Sequence, residues 1–128
     1  MPLKVGGSST EVITDALVAQ NMTYTTMQPA ATTDSAVTGT KSADMNGSGL
    51  ELWTMTGATT ITPSNEAAGR VKVILLDTNT TGFAPTWSGI EWPEGGGDPS
   101  WATYRYWQVY LVSWSASVTR GSAIGFST

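Results

Sequence analysis

The segment from Trp87 to Trp101 constrains the fold of this chain more than any other part of the sequence. It contains three of the six tryptophans, three consecutive glycines (Gly95 to Gly97) and two prolines. Proline cannot donate a backbone hydrogen bond and glycine weakens a strand, so a strand cannot continue through Pro93 and the glycines. The segment must be an ordered loop between strands, and its tryptophans either close the end of a β-domain or form a contact surface for a partner.

The composition favours strands in the rest of the chain. Charged residues make up only 12% of the 128 residues, about half the usual share in soluble proteins, and serine and threonine take their place. Threonine suits a pleated, half-buried surface because its β-branch restricts χ1. A chain of this length forms a single domain.

Short runs of alternating or continuous apolar residues predict where the strands lie. The longest run, Thr103–Trp114, places Tyr106 and Tyr110 on one side and Trp107 and Val109 on the other, so we expect both of its sides to be covered. Strands at this spacing predict an all-β fold, specifically an antiparallel β-sandwich of the jelly-roll kind over residues 41–128. The predicted strands are Gly49–Thr56, Thr59–Thr62, Arg70–Leu76, Thr86–Trp92, Thr103–Trp114 and Ala123–Phe126.

Residues 1–40 differ from the remainder and are predicted to form an extended N-terminal arm. Two patches rich in Gly, Ser, Pro and Thr flank a mildly apolar piece. One interpretation is a flexible leader; the other is an arm that orders only against a neighbouring subunit. The residues that would then form the subunit interface are Val12, Leu17, Met22, Tyr24 and Met27.

The charge and residue inventory excludes several classes of function. The net charge is −4 and the six Lys and Arg residues are scattered, which argues against nucleic-acid binding. No apolar run is long enough to cross a membrane, and the N-terminus lacks the apolar core of a signal peptide. The chain has no histidine and no cysteine, which removes the commonest general base and the usual metal ligands. We expect no catalysis, no cofactor and no metal.

The acids of the tryptophan loop could in principle form a glycosidase pair or a calcium site. Glu91, Glu94 and Asp98 lie close together in sequence, but a glycine-rich loop gives carboxylates no rigid support. We therefore interpret them as solvated. Trp92 and Trp101 could instead stack on sugar rings or on a partner protein. The candidate contacts for a partner or a glycan are Trp92, Glu94, Asp98 and Trp101.

A recognisable order of motifs runs from residue 41 to the end of the chain. The residues that carry it are Leu52–Thr62 with its Thr-Gly-Ala-Thr-Thr-Ile-Thr phrase, Gly69–Leu76, Trp87, Trp92-Pro93, Gly95-Gly96, Pro99 and Gly125-Phe126. In this order the chain resembles a β-domain of bacteriophage virion proteins, especially tail fibres. It departs from that domain at Tyr104–Trp107, where an acid is usual, and at Ser113–Gly121, where a different hairpin is usual.

The resemblance implies a virion structural protein with a tendency to form homotrimers. The lack of a signal peptide predicts that it is assembled in the host cytoplasm. Tail fibres are much longer than this chain, so a free-standing domain with an N-terminal arm favours a capsid decoration (cement) protein, with the major capsid protein as partner. The alternative is a short tail or neck fibre, or a receptor-binding module that binds carbohydrate on the host surface.

Overall fold

A computed structural model describes residues 30–79, 82–93 and 97–127 of the chain. These residues form an all-β structure without an α-helix, as the sequence predicts. The strands are β1 (Thr32–Asp44), β2 (Leu50–Ser64), β3 (Val71–Asp77), β4 (Thr86–Trp87), β5 (Ile90–Glu91), β6 (Tyr106–Ser113) and β7 (Thr119–Phe126), and one 3-10 turn covers Trp101–Thr103.

The strands form one curled, open sheet of mixed direction. Its order is β1-β2-β3-β6-β7-β5, and β4 pairs separately with β2. The pairs β1–β2, β2–β3, β2–β4 and β5–β7 are parallel, whereas β3–β6 and β6–β7 are antiparallel. The expected antiparallel sandwich is therefore not confirmed. Alternation of apolar residues specifies which face a side chain occupies, but it does not specify the direction of the neighbouring strand.

β1 and β2 must both bend sharply, because the link between these two parallel strands, residues 45–49, is very short. At one end of the link the Met45 N–H donates to the Ser64 carbonyl (2.9 Å), and near the other end the Ser48 hydroxyl donates to the Ala30 carbonyl (3.0 Å). A straight strand of 13 residues would separate these ends by about 40 Å at roughly 3.3 Å per residue. Residues 45–49 can span only about 20 Å. The two ends of β1 are therefore close together.

The bend lies where the pairing of β1 with β2 becomes irregular, on either side of Val37. Gly39 there has a φ of 71°, a conformation that favours glycine. On β2 the bend falls near Gly57, where a Cβ atom would collide with the Thr38 side chain. The sequence predicted a break at Gly57; the structure shows a bend within one strand.

The bend allows β2 to pair with two different strands on one side. Its first half, Leu50–Thr54, pairs with β3, and Thr60 and Ile61 of its second half pair with β4. The described residues thus form three parallel layers of strand, in the order β1, β2, and β3 with β4. β1 begins at Thr32, ahead of the predicted domain start at residue 41. Its small and polar residues give no hydrophobic pattern that would predict a strand.

The inner face of the curled sheet encloses the hydrophobic core. Strands β2, β3 and β6 contribute alternate residues to it, and for β6 the sequence pattern predicts this alternation. The core side chains are Val37, Ala43, Met45, Trp53, Met55, Ile61, Ile74, Leu76, Trp87, Trp101, Trp107, Val109 and Leu111.

One ion pair is buried beside this core. Lys72 of β3 is fully buried and forms a salt bridge with Glu51 of β2, which is 9% exposed. The second Glu51 oxygen accepts a hydrogen bond of 2.7 Å from the Trp53 indole, and the Ser48 carbonyl accepts a second bond from Lys72. These added bonds compensate for taking both charges out of water.

We predict that Lys72→Met destabilises the protein by about 3–5 kcal/mol, since it leaves the Glu51 carboxylate buried without its cation. Urea unfolding followed by tryptophan fluorescence measures this change. The matched control is Arg120→Met, which removes the cation of the exposed Arg120–Glu91 pair and should leave the unfolding midpoint nearly unchanged. Equal losses in the two variants would contradict the argument.

Candidate functional site

Four tryptophans form a cluster at one end of the core. Trp87 and Trp101 stack with ring centroids 5.5 Å apart, and Trp101 meets Trp107 at 4.8 Å. Trp92 contacts both Trp87 and Trp101 edge-on, at 5.7 Å in each case. Aromatic pairs in these geometries stabilise a fold beyond the apolar area that they bury. The tryptophan loop of the sequence therefore folds back onto the sheet.

Three of the four tryptophans are buried, and one ring is partly accessible. Trp87 is 6% exposed, Trp101 4% and Trp107 6%. Trp101 is packed against Trp87, Trp92 and Trp107, so it offers no free ring face to a sugar or a partner in this structure. Trp92 is partly exposed and is the one ring of the four that a ligand could reach.

The indole N–H groups of Trp87, Trp92 and Trp101 are buried and have no hydrogen-bond acceptor within the described residues. By contrast, the Trp107 indole donates to the Tyr104 carbonyl at 2.9 Å. The Trp87–Trp92 planes are nearly perpendicular, at 88°, which brings the edge of one indole towards the π face of the other. The close packing of the rings is in keeping with a structural role for the cluster.

Glycines in β7 make room for two aromatic rings. A Cβ atom on Gly121 would lie 2.7 Å from the Trp92 ring and 2.9 Å from an Ile90 methyl group. A Cβ on Gly125 would collide with the Tyr104 ring. Glycine inside a strand commonly marks a close approach of this kind. The sequence gives this signal in Gly125-Phe126, but it does not reveal which rings lie on the strand.

A polar cleft of about 480 Å³ adjoins Trp92 and is lined by Glu91, Trp92, Pro93, Arg120 and Gly121. Arg120 Nε donates to Glu91 Oε1 at 3.0 Å, and both side chains are exposed. Of the predicted loop contacts, Asp98 is exposed and Glu94 lies outside the described residues. No group of three or more acidic, His or Cys side chains that could hold a metal occurs among residues 30–79, 82–93 and 97–127.

A second candidate surface lies on the opposite side of the sheet, which we call the outer face. It consists of the alternate residues of β2, β3, β6 and β7 that point away from the core, and the register places them side by side. For example, Leu52 pairs with Leu75, and Tyr106 pairs with Phe126. Its apolar members are Leu50, Leu52, Val71, Val73, Leu75, Tyr106, Tyr110, Val112, Ile124 and Phe126.

No described element covers the outer face, so its side chains reach solvent. Ile124 is 53% exposed, Phe126 43% and Leu75 37%. A groove of about 330 Å³ runs across it between Leu52, Leu75, Tyr106 and Phe126. Within residues 30–79, 82–93 and 97–127, the long strand is therefore covered on the side of Trp107 and Val109, and the predicted cover of its other side is not seen.

Charged groups lie at the ends of the outer face and are paired there. Arg105 forms a bidentate pair with Asp77, with Nε–Oδ1 and Nη2–Oδ2 distances of 2.7 and 2.8 Å. These bonds, with a further one from the Asn79 backbone N–H, hold the pKa of Asp77 below its usual value. Arg120, paired with Glu91, lies on β7 opposite Val112. The centre of the face carries no charged side chain of these strands.

The predicted subunit-interface residues Val12, Leu17, Met22, Tyr24 and Met27 lie outside the described residues. The pattern of the long strand placed Tyr106 and Tyr110 on the side that becomes the outer face. What the sequence could not show is that the stripes of separate strands join into one surface, since that depends on strand order and register. None of the described segments forms a helix long and apolar enough to span a membrane.

We predict that Gly121→Ala destabilises the protein by about 1–3 kcal/mol, because the added methyl group forces the Trp92 and Ile90 side chains to move. The control is Gly49→Ala, where the nearest atom to the new Cβ would be 4.0 Å away. Thermal unfolding should separate the two variants, and Gly121→Ala alone should change the tryptophan emission spectrum. An unchanged melting temperature and spectrum for Gly121→Ala would contradict this packing.

The Asp77–Arg105 pair predicts a pH dependence. The folded-state pKa of Asp77 is lowered, so its stabilisation is fully present above the unfolded pKa of about 3.9 and is lost as the pH falls through the folded value. We expect Asp77→Asn to cost about 1 kcal/mol or less at pH 7, and the difference from the wild type to shrink below pH 4. Unfolding at pH 7 and pH 3 tests this, with the exposed loop variant Asp98→Asn as control. If the unfolding free energies of Asp77→Asn and the wild type differ as much at pH 3 as at pH 7, this prediction is wrong.

Comparison of the chain with protein-family models, with curated protein sequences and with solved structures finds no match.

Proposed function

We propose that this chain is a structural subunit of a bacteriophage virion that acts by protein–protein contact. The observation that supports the contact function is the continuous apolar outer face. Its virion setting is supported by the motif order over residues 41–128, which resembles the β-domain of phage surface proteins.

The size of the outer face fits a protein interface. Seven of its side chains are between 37% and 54% exposed, namely Leu52, Val71, Leu75, Tyr106, Val112, Ile124 and Phe126. Together they present on the order of 600 Å² of largely apolar surface, at the upper end of the patches seen on monomeric proteins. A standard interface buries roughly 800 Å² on each partner, so this face with its polar margin is large enough for one.

The distribution of charge supports the same function. The centre of the outer face combines aliphatic side chains with Tyr106, Tyr110 and Phe126, while the Asp77–Arg105 pair lies at its margin. Depletion of charge at the centre and enrichment of aromatic residues are characteristic of interface cores. A catalytic site would instead bring titratable groups together in a cleft.

Within this class, a capsid decoration protein is the specific role that we favour, with the chain as a homotrimer on a shell of major capsid protein. Decoration requires broad contact between protein surfaces of matching shape, and the outer face provides such a surface. It requires no bond-making chemistry. The alternative virion role is a short tail or neck fibre.

The rival function is carbohydrate binding at the host surface. It is favoured by the partly exposed Trp92 beside the Glu91–Arg120 cleft, since an aromatic ring next to charged hydrogen-bonding groups suits a sugar. Trp101 is buried, so a sugar could not stack on its ring. Selective glycan binding by the wild type that is lost in Trp92→Ala, with no association through the outer face, would favour the rival.

We predict that the purified chain self-associates through the outer face and that Ile124→Lys raises its dissociation constant at least tenfold, because a charge buried within an apolar interface must be desolvated. Size-exclusion chromatography with light scattering measures the mass against concentration. The control is Thr62→Lys, an exposed residue in the second half of β2 that is not among the apolar residues of the outer face. A wild-type chain that stays monomeric at all concentrations would overturn self-association.

The virion assignment needs a separate measurement. Fractionation of phage particles into capsids and tails, followed by immunodetection, should find the chain with capsids. Detection with tails would support the fibre alternative, and absence from both fractions would overturn the virion proposal.

A further inference from the structure

Trp114 is the most exposed large apolar side chain of the described residues, at 62%. It follows β6 directly, at the start of the turn that leads into β7, and its backbone N–H donates to the Val118 carbonyl at 2.8 Å. Apolar surface of this size is costly to leave in water. Tryptophan is also enriched among the few residues that supply most of the binding energy of protein interfaces.

The Trp114 ring is held in position by the neighbouring strand. The Arg120 guanidinium lies 4.8 Å from the ring centroid, where a cation is attracted to the π electrons of the indole. Arg120 is in turn held by Glu91, with 3.0 Å between Nε and Oε1. Because these contacts orient the ring before any partner arrives, less conformational entropy is lost when it binds.

The groove on the outer face has room for one indole ring. Its volume of about 330 Å³ falls within the range of roughly 300–1,000 Å³ that is usual for ligand pockets. Leu52, Leu75 and Phe126 give it apolar walls. The Asp77 carboxylate and the Gln108 side chain also line it, and both are acceptors for an indole N–H.

Trp114 is too far away to occupy the groove of its own chain. It follows the last residue of β6, whereas the groove lies beside Tyr106 and Gln108 in the first half of that strand. At roughly 3.3 Å per residue, Trp114 is about 20 Å from Gln108. A groove that Trp114 fills therefore belongs to another copy of the chain.

We infer that Trp114 of one copy docks in the outer-face groove of a neighbouring copy. The inference rests on the proposed function, because it names the side chain through which the outer face joins copies. Ring and groove are different parts of the surface, so each copy can insert one Trp114 and receive another. Head-to-tail contacts of this kind form closed rings when the rotation between copies closes, which suits the proposed homotrimer.

The area of the contact supports a second copy as the occupant. The exposed part of Trp114 adds on the order of 150 Å² to the roughly 600 Å² of the outer face. The total is close to the roughly 800 Å² that each partner buries in a standard interface. The outer face and Trp114 together are thus large enough for a stable contact between copies.

Complementation between two variants tests the docking. Trp114→Ala keeps the groove but lacks the ring, and Leu75→Arg keeps the ring but blocks the groove. For each variant alone we expect a dissociation constant at least about tenfold above that of the wild type, from light scattering at increasing concentration. An equimolar mixture should form pairs, because the Leu75→Arg copy supplies its Trp114 to the open groove of the Trp114→Ala copy.

The matched control is Ser117→Ala, an exposed residue of the same hairpin, which should associate like the wild type. Thermal unfolding checks that all variants are folded. Tryptophan emission gives a second readout. The wild-type spectrum should shift to shorter wavelength as the concentration rises, since Trp114 leaves water, and Trp114→Phe should lack this shift.

The outcomes separate this inference from the proposed function. If Trp114→Ala associates as tightly as the wild type while Ile124→Lys does not, the docking of Trp114 is wrong and self-association through the outer face stands. A mixture of Trp114→Ala and Leu75→Arg that forms no pairs would likewise overturn the docking alone. A monomeric wild type would overturn both.

Discussion

The bend in β2 is the constraint on which the rest of this structure depends. Because β2 turns near Gly57, its first half can pair with β3 while its second half pairs with β4, and the sheet curls around one core. A straight strand of 15 residues would leave Met55 and Ile61 on a flat surface. The bend also fixes the short link to β1, since residues 45–49 can connect two parallel strands only when the ends of each strand are close.

The packed tryptophan cluster closes one end of the curled sheet. Trp87, Trp92 and Trp101 come from the segment between β4 and β6, and they pack on one another and on Trp107. Gly121 allows the Trp92 ring to lie directly on β7. A loop that looks accessible in the sequence is thus largely part of the core, which leaves Trp92 as its one ring within reach of a ligand.

The sheet has two apolar faces but only one of them is covered within the described chain. The inner face packs around the core, whereas Leu75, Ile124 and Phe126 of the outer face reach solvent. Burying apolar surface is the main favourable term in protein association, so the outer face is the part of the molecule best suited to a partner. This surface and the sequence resemblance are what support the proposed role of a structural virion subunit. That role requires no bond-making chemistry.

Sequence patterns alone predict the all-β class, the approximate positions of β2, β3 and β6, and the two sides of β6, because side-chain direction in a strand has a period of two. They do not reveal β1, which carries the Asp34–Lys41 ion pair and small residues in place of an apolar stripe. The parallel pairing, the burial of Trp101 and the joining of separate stripes into the outer face are set by the tertiary structure. These depend on contacts between residues far apart in the chain, such as Ile74 with Val109, and local alternation carries no information about which strands become neighbours.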